Sequence, residues 1–87
     1  MSNITLIFCY AGNNLSLQCQ SNETLEDVYR RFCTKVDRNI GDFKFYYNSM
    51  EVPPCNKTLS NLNLQNFNQF NVVENNVVGA WNKLNLK

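Results

Sequence analysis

"SNETLEDVYRRFCTKVDRN" (21–39) is where this chain changes its period. Just before it, "LSLQCQ" (15–20) alternates, with Leu15, Leu17 and Cys19 on one side and Ser16, Gln18 and Gln20 on the other. That period of two is a half-buried strand. Within the quoted stretch Leu25, Val28, Phe32 and Val36 fall at i, i+3, i+7 and i+11, one stripe of a helix. Thr24 is a natural N-cap, with Asp27 three residues on in a capping-box arrangement. Glu26 and Asp27 in the first turn and Lys35 near the last suit the helix dipole. Asn39 and Gly41 supply an end, and Tyr29 is expected at the rim of the stripe.

Working outward, "ITLIFCY" (4–10) is rich in β-branched and aromatic residues, and "AGNN" after it is turn chemistry. With 15–20 it forms a β-hairpin ahead of the helix. After the helix, "FKFYYN" (43–48) reads as a third strand, Phe43, Phe45 and Tyr47 alternating with Lys44 and Tyr46. "NSME" is a turn. "VPPC" is an extended piece, because Pro53 and Pro54 exclude a helix interior and a central strand. "TLSNLNL" (58–64) is a helical turn laid over the core by Leu59, Leu62 and Leu64. "QFNVVE" (69–74) is a last strand, Phe70 and Val72 on one side, Asn71 and Val73 on the other. The order ββαβ, short turn, β predicts an α+β domain, a mixed sheet with one main helix across one face. This is the β-grasp arrangement.

Eighty-seven residues allow one domain, expected over 1–75, followed by a tail over 76–87. No apolar run approaches the roughly 20 residues of a membrane helix. The N-terminal "MSNITLIFCYAGNN" has no basic leader and is a poor signal peptide. The formal net charge is +1 without a basic cluster, so no nucleic-acid partner is indicated. There is no histidine, which removes Ser-His and Cys-His pairs, and the three glycines are too scattered for a phosphate loop. The acids fall on predicted helix ends and loops. No catalytic set, metal site or cofactor is therefore expected, and the chain is read as a non-enzyme.

Cys9, Cys19, Cys33 and Cys55 lie apart in apolar stretches, where free cysteine packs as a small hydrophobe. Four Asn-x-Ser/Thr sites accompany them, at Asn3, Asn14, Asn22 and Asn56, but in a chain with sixteen asparagines such triplets arise by chance. A small secreted disulfide protein is the third of three functional readings.

The other two come from a resemblance. "SNETLEDV" resembles the helix entry of ubiquitin-like proteins, "FYYNSMEV" their following hairpin, and "TLSNLNL" their Thr-Leu-Ser-Asp-Tyr-Asn-Ile segment. The resemblance spans Ile4 to about Glu74. It implies a core of Ile4, Leu6, Leu15, Leu17, Cys19, Leu25, Val28, Phe32, Phe45, Val52, Leu59, Leu62, Leu64, Phe70 and Val72. It also implies a partner-binding face: Tyr46 and Val73 outward on neighbouring strands, Tyr10 overhanging them from the hairpin turn, and Lys44, Asn48 and Asn71 beside them. Tyr46 there replaces an aliphatic residue of the family, and Asn71 its histidine or equivalent.

The first reading is a ubiquitin-like interaction module, monomeric, cytoplasmic or nuclear. It would dock on ubiquitin-like-domain receptors, the proteasome or adaptor proteins, with no nucleic acid or membrane involved. The second is a covalent modifier processed after Gly79, which aligns with the family's terminal glycine. Val78 stands in place of the preceding glycine, and Asn75 and Val77 in place of two arginines.

Overall fold

The structure is a computed structural model that describes residues 3–75. Strands β1 (Asn3–Tyr10) and β2 (Asn13–Gln20) form the hairpin, paired antiparallel from Asn3↔Gln20 to Tyr10↔Asn13. The connection is tighter than the sequence suggests. Ala11 and Gly12 alone turn the chain, at φ 52° and 80°, the pattern of a two-residue turn whose twist matches the strands. Asn13 and Asn14 are thereby strand residues.

Helix α1 (Leu25–Val36) begins as its sequence dictates. Thr24 Oγ1 accepts from the Asp27 N–H at 3.2 Å. The Leu25 and Glu26 N–H groups, which have no partner inside the helix, donate to the carbonyls of Lys57 and Cys55, each at 3.0 Å. Leu59 N–H returns a bond to the Glu23 carbonyl at 3.0 Å. The helix start is thus built together with the 58–64 segment. The helix stops two residues earlier than Asn39. Asp37 adopts φ 58°, and the Arg38 N–H caps the Cys33 carbonyl at 3.0 Å.

A short 3-10 turn (Ile40–Asp42) leads into β3 (Phe43–Tyr47), and β5 (Gln69–Glu74) completes the sheet. The sequence reading misses one element. Met50–Glu51 pair with Tyr47 and Tyr46 as a two-residue strand, β4. Residues too few to show a period are recognised only by their partners. Segment 58–64 makes one turn, with Leu62 N–H to the Thr58 carbonyl at 3.1 Å and Asn63 at φ 58°. The five-stranded sheet runs β2-β1-β5-β3-β4, with β1 and β5 parallel at the centre and the other pairs antiparallel. It is a mixed sheet with one helix across it, the ubiquitin-like β-grasp fold.

The core between helix and sheet is largely aromatic. Phe8 stacks on Phe32 at 5.0 Å and on Phe70 at 5.3 Å between ring centroids. Phe8, Tyr29, Phe32, Phe45 and Phe70 are all fully buried. Tyr29 is not at a rim. It stacks on Phe45, and its hydroxyl donates to the Val52 carbonyl at 2.8 Å. Burial holds its phenol well above the usual tyrosine range. At i+4 from Leu25, Tyr29 widens the stripe to the breadth a globular helix buries. Phe8, Cys33 and Phe43 join the expected core, while Leu15, Val52 and Leu62 pack against its margin.

Two substitutions probe this. Tyr29→Phe keeps the ring and orphans the Val52 carbonyl. It should cost about 1–3 kcal/mol in chemical denaturation, against about 3–5 kcal/mol for Tyr29→Ala. Asp37→Gly removes both a side chain at positive φ and an acid at the helix C-terminus. It should raise stability by about 1 kcal/mol, some 4–8 °C in melting temperature for a domain of this size.

Candidate functional site

The helix covers one face of the sheet, and the pleat decides what the other presents. On β1 the even residues Ile4, Leu6 and Phe8 are buried, so Ile7 and Cys9 face outward. Registers carry the outward set across the sheet. Asn14 pairs with Cys9, Cys9 with Asn71, Asn71 with Tyr46, and Tyr46 with Glu51. One continuous row therefore crosses all five strands. Val73 and Lys44, paired with each other, lie on one side of it, and Ile7 and Gln69 on the other.

Five of the six residues expected at a binding face are brought together. Lys44, Tyr46, Asn71 and Val73 share the outer face, Tyr46 half-buried and Val73 46% exposed. Asn48 sits at its margin in the β3–β4 turn, where Asn48 and Ser49 take φ 53° and 66°. With Phe67, Gln69 and Asn71, among others, Asn48 lines a shallow recess of about 310 Å³. One large apolar residue there is missing from the sequence reading. Phe67 is 65% exposed and held at φ 65°. Met50, 70% exposed, pairs with Tyr47 and so shares the inward phase of the sheet. Phe67 lies outside any periodic segment, so no pattern marks it.

The sixth, Tyr10, is on the other side. Its ring lies edge-on to Phe32 at 5.8 Å and to Phe43 at 5.1 Å, beside the helix. The reason is the two-residue turn. Tyr10 remains a paired strand residue and keeps the inward phase of Phe8. Cys9, half-buried, takes the outward position next to Asn71. The phase of β1, continued two residues past Phe8, is the available signal.

Tyr10 instead enters a polar network. Its hydroxyl donates to Glu74 Oε2 at 3.0 Å, and Arg38 Nη1 donates to the same oxygen at 3.1 Å. Arg38 Nε lies 3.5 Å from Asp42 Oδ2, and the guanidinium sits 5.3 Å over the Phe43 ring. The Asn75 N–H donates to the Asp42 carbonyl at 2.7 Å. The bonds from Arg38 and then Tyr10 hold the Glu74 carboxyl below its usual range, and the bond to Glu74 raises Tyr10. The network ties the ends of β1, β5 and α1 together. Gly79 and the 76–87 segment lie outside the described residues.

The four cysteines are unpaired thiols, Cys19 and Cys33 buried and Cys9 and Cys55 half-buried. Burial pushes the Cys19 thiol up to about 11 and Cys33 in the same direction, so both are poor nucleophiles. Among the described residues no three His, Cys, Asp or Glu side chains gather to hold a metal ion. No helix among them is long and apolar enough to cross a membrane. The outer face offers apolar area and hydrogen-bonding groups.

No protein-family model and no curated protein sequence matches this chain. Solved structures match its fold. The ubiquitin-like domain of an Arabidopsis thaliana protein superposes with a TM-score of 0.75 at 14% identity, over 85% of this chain and 79% of that one. Caldiarchaeum subterraneum ubiquitin gives 0.76 at 16% identity, over 87% and 98%. These likenesses establish the ubiquitin-like fold at sequence distances where side chains have changed almost throughout.

A folded Glu74 carboxyl of lowered pKa contributes stability above the unfolded carboxylate range, about 4.3 for glutamate. That contribution is lost as pH falls through the folded value. Thermal melts between pH 7 and pH 3 should therefore show a smaller decline for Glu74→Gln than for the unmodified chain. An equal decline in both would remove Glu74 from the acid response.

Proposed function

We propose that this chain is a non-catalytic protein-interaction module of the ubiquitin-like class. Its docking surface is the outer sheet face centred on Tyr46. The observation that carries the reading is the five-strand row, which sets Tyr46 between Asn71 and Glu51 with Val73 diagonal to it, on the face opposite helix α1. Tyrosine suits such a centre, because it buries a large area with few torsions and keeps a polar tip. Cys9 and Ile7 extend the apolar part toward β1, and Asn48 marks the margin at the turn. Binding through one small patch is modest, micromolar or weaker, no tighter than on the order of −8 kcal/mol. We take its partners to come from the ubiquitin, proteasome or adaptor network, in cytoplasm or nucleus, as the resemblance to ubiquitin-like proteins implies.

The test uses the whole chain with an N-terminal tag, expressed in its own cell. Tyr46→Ala should abolish recovery of specific partners while the far-ultraviolet circular dichroism stays unchanged, and the blot should show a single band. A ladder of heavier adducts that disappears with Gly79→Ala would replace this reading with the covalent modifier. Partners retained by Tyr46→Ala would move the docking surface elsewhere.

A further inference from the structure

The outer face has an unusual charge pattern. Of all its outward strand positions only Lys44 on β3 and Glu51 on β4 are charged. They flank Tyr46 closely. Lys44 is two residues before it on the same strand, roughly 7 Å away, and Glu51 is its direct partner on the next strand, roughly 5 Å away. Neither joins an ion pair among the described residues, whereas Arg30, Arg31 and Arg38 are all paired.

We propose that a second copy of this chain docks on this face, the two outer sheets meeting about a two-fold axis beside Tyr46. The proposal rests on the reading of that face as a docking surface and names its occupant. It departs from the monomer expected from the sequence. A two-fold interface must be complementary to itself, so that residue i meets j and j meets i. One cation and one anion on either side of an aromatic centre meet that condition. Lys44 of each copy faces Glu51 of the other, and Tyr46, nearly equidistant from both, meets its own counterpart near the axis. A partner surface of single sign would oppose one of the two charges.

The remaining outward groups are also self-matching. Asn71, beside Tyr46, and Asn48 at its margin each carry donor and acceptor on one amide, so each can pair reciprocally with an amide of the copy. The area is small. Five strands about 4.8 Å apart, with residues about 3.3 Å apart, give a patch of roughly 400 Å² per copy. An axis beside Tyr46, one strand from the β4 edge, leaves β2 outside the contact, so the pair buries less than about 800 Å², below the ~1,200 Å² of stable complexes. The dimer is therefore weak and exchanging, with a Kd on the order of 0.1–1 mM.

The experiment is sedimentation equilibrium of the full chain from about 10 μM to 1 mM, a range bracketing that affinity. It is paired with amide chemical shifts over the same range. A reductant is present throughout, since Cys9 shares the face and must not cross-link. The weight-average mass should climb toward twice the monomer mass, with concentration-dependent shifts confined to the outer strands' outward residues. Lys44→Glu and Glu51→Lys should each weaken association at least about fivefold, the scale of a like-charge clash. The double variant K44E/E51K should restore it, and an equimolar mixture of the two single variants should associate better than either alone. A chain that stays monomeric to 1 mM overturns the proposal. So do single reversals without effect, or a folded double variant that fails to recover. If self-association is absent while Tyr46→Ala still abolishes capture of other proteins, only the occupant is wrong and the docking face stands. If self-association is present but Tyr46→Ala leaves captured partners unchanged, the face serves copies of this chain alone.

Discussion

Everything in this fold depends on where Phe8 points. Its ring is stacked between Phe32 of the helix and Phe70 of the neighbouring strand, with Tyr29 and Phe45 edge-on to it. Burying that ring fixes the phase of β1, and a strand has only two phases. A slip by one residue would expose Leu6 and Phe8 and bury Thr5 and Ile7. Because β1 sits second in the sheet and pairs on both sides, its phase is passed to β2 and β5, and through β5 to β3. The outward row from Asn14 to Glu51 is the counterpart of the aromatic core. The side chains available for recognition are those that packing rejected.

Periodicity is strong evidence over long runs and weak at their ends, and the errors here follow that rule. The twelve-residue helix, the hairpin, β3 and β5 were all legible, since each shows several repeats of its period. The helix end at Asp37, the pair Met50–Glu51 and the two-residue turn at Ala11–Gly12 were not, because each is decided by one or two residues and their tertiary partners. Tyr10 shows the cost. A four-residue turn would have freed it to lean over the outer face, while the actual turn keeps it in the ladder and beside Arg38 and Glu74. Tyr29 departs from expectation for a different reason. Its place in the period puts it at the edge of the stripe, but the Val52 carbonyl satisfies its hydroxyl inside the protein, so the ring is wholly buried. The outer face was legible as a place through the resemblance, and its exact membership depended on register.

The two sides of the molecule are governed by different interactions. All three arginines lie on or just after the helix, each engaged with Glu23, Glu26, Asp42 or Glu74. The sheet side is amide-rich and close to neutral, with Lys44 and Glu51 as its charged pair. Such a surface exerts little long-range pull on charged molecules, and contacts made on it depend on shape, aromatic area and hydrogen-bond matching. Salt should matter little to most of it and selectively to those two residues.

The parallel pairing of β1 with β5 has a mechanical consequence. The first and last strands of the described fold lie side by side and run the same way, joined at Ile7↔Gln69, Phe8↔Phe70 and Cys9↔Asn71. A pull applied through the two ends would load this contact lengthwise. Its slanted hydrogen bonds and the stacked Phe8 and Phe70 rings would then have to yield together, and could not peel apart one at a time. The β1–β2 hairpin, pulled open from its ends, would unzip one bond after another. The architecture thus places its most force-resistant seam where the chain enters and leaves. A protein attached in series with this domain would be held by a rigid link, one that gives way by slow unfolding and does not stretch.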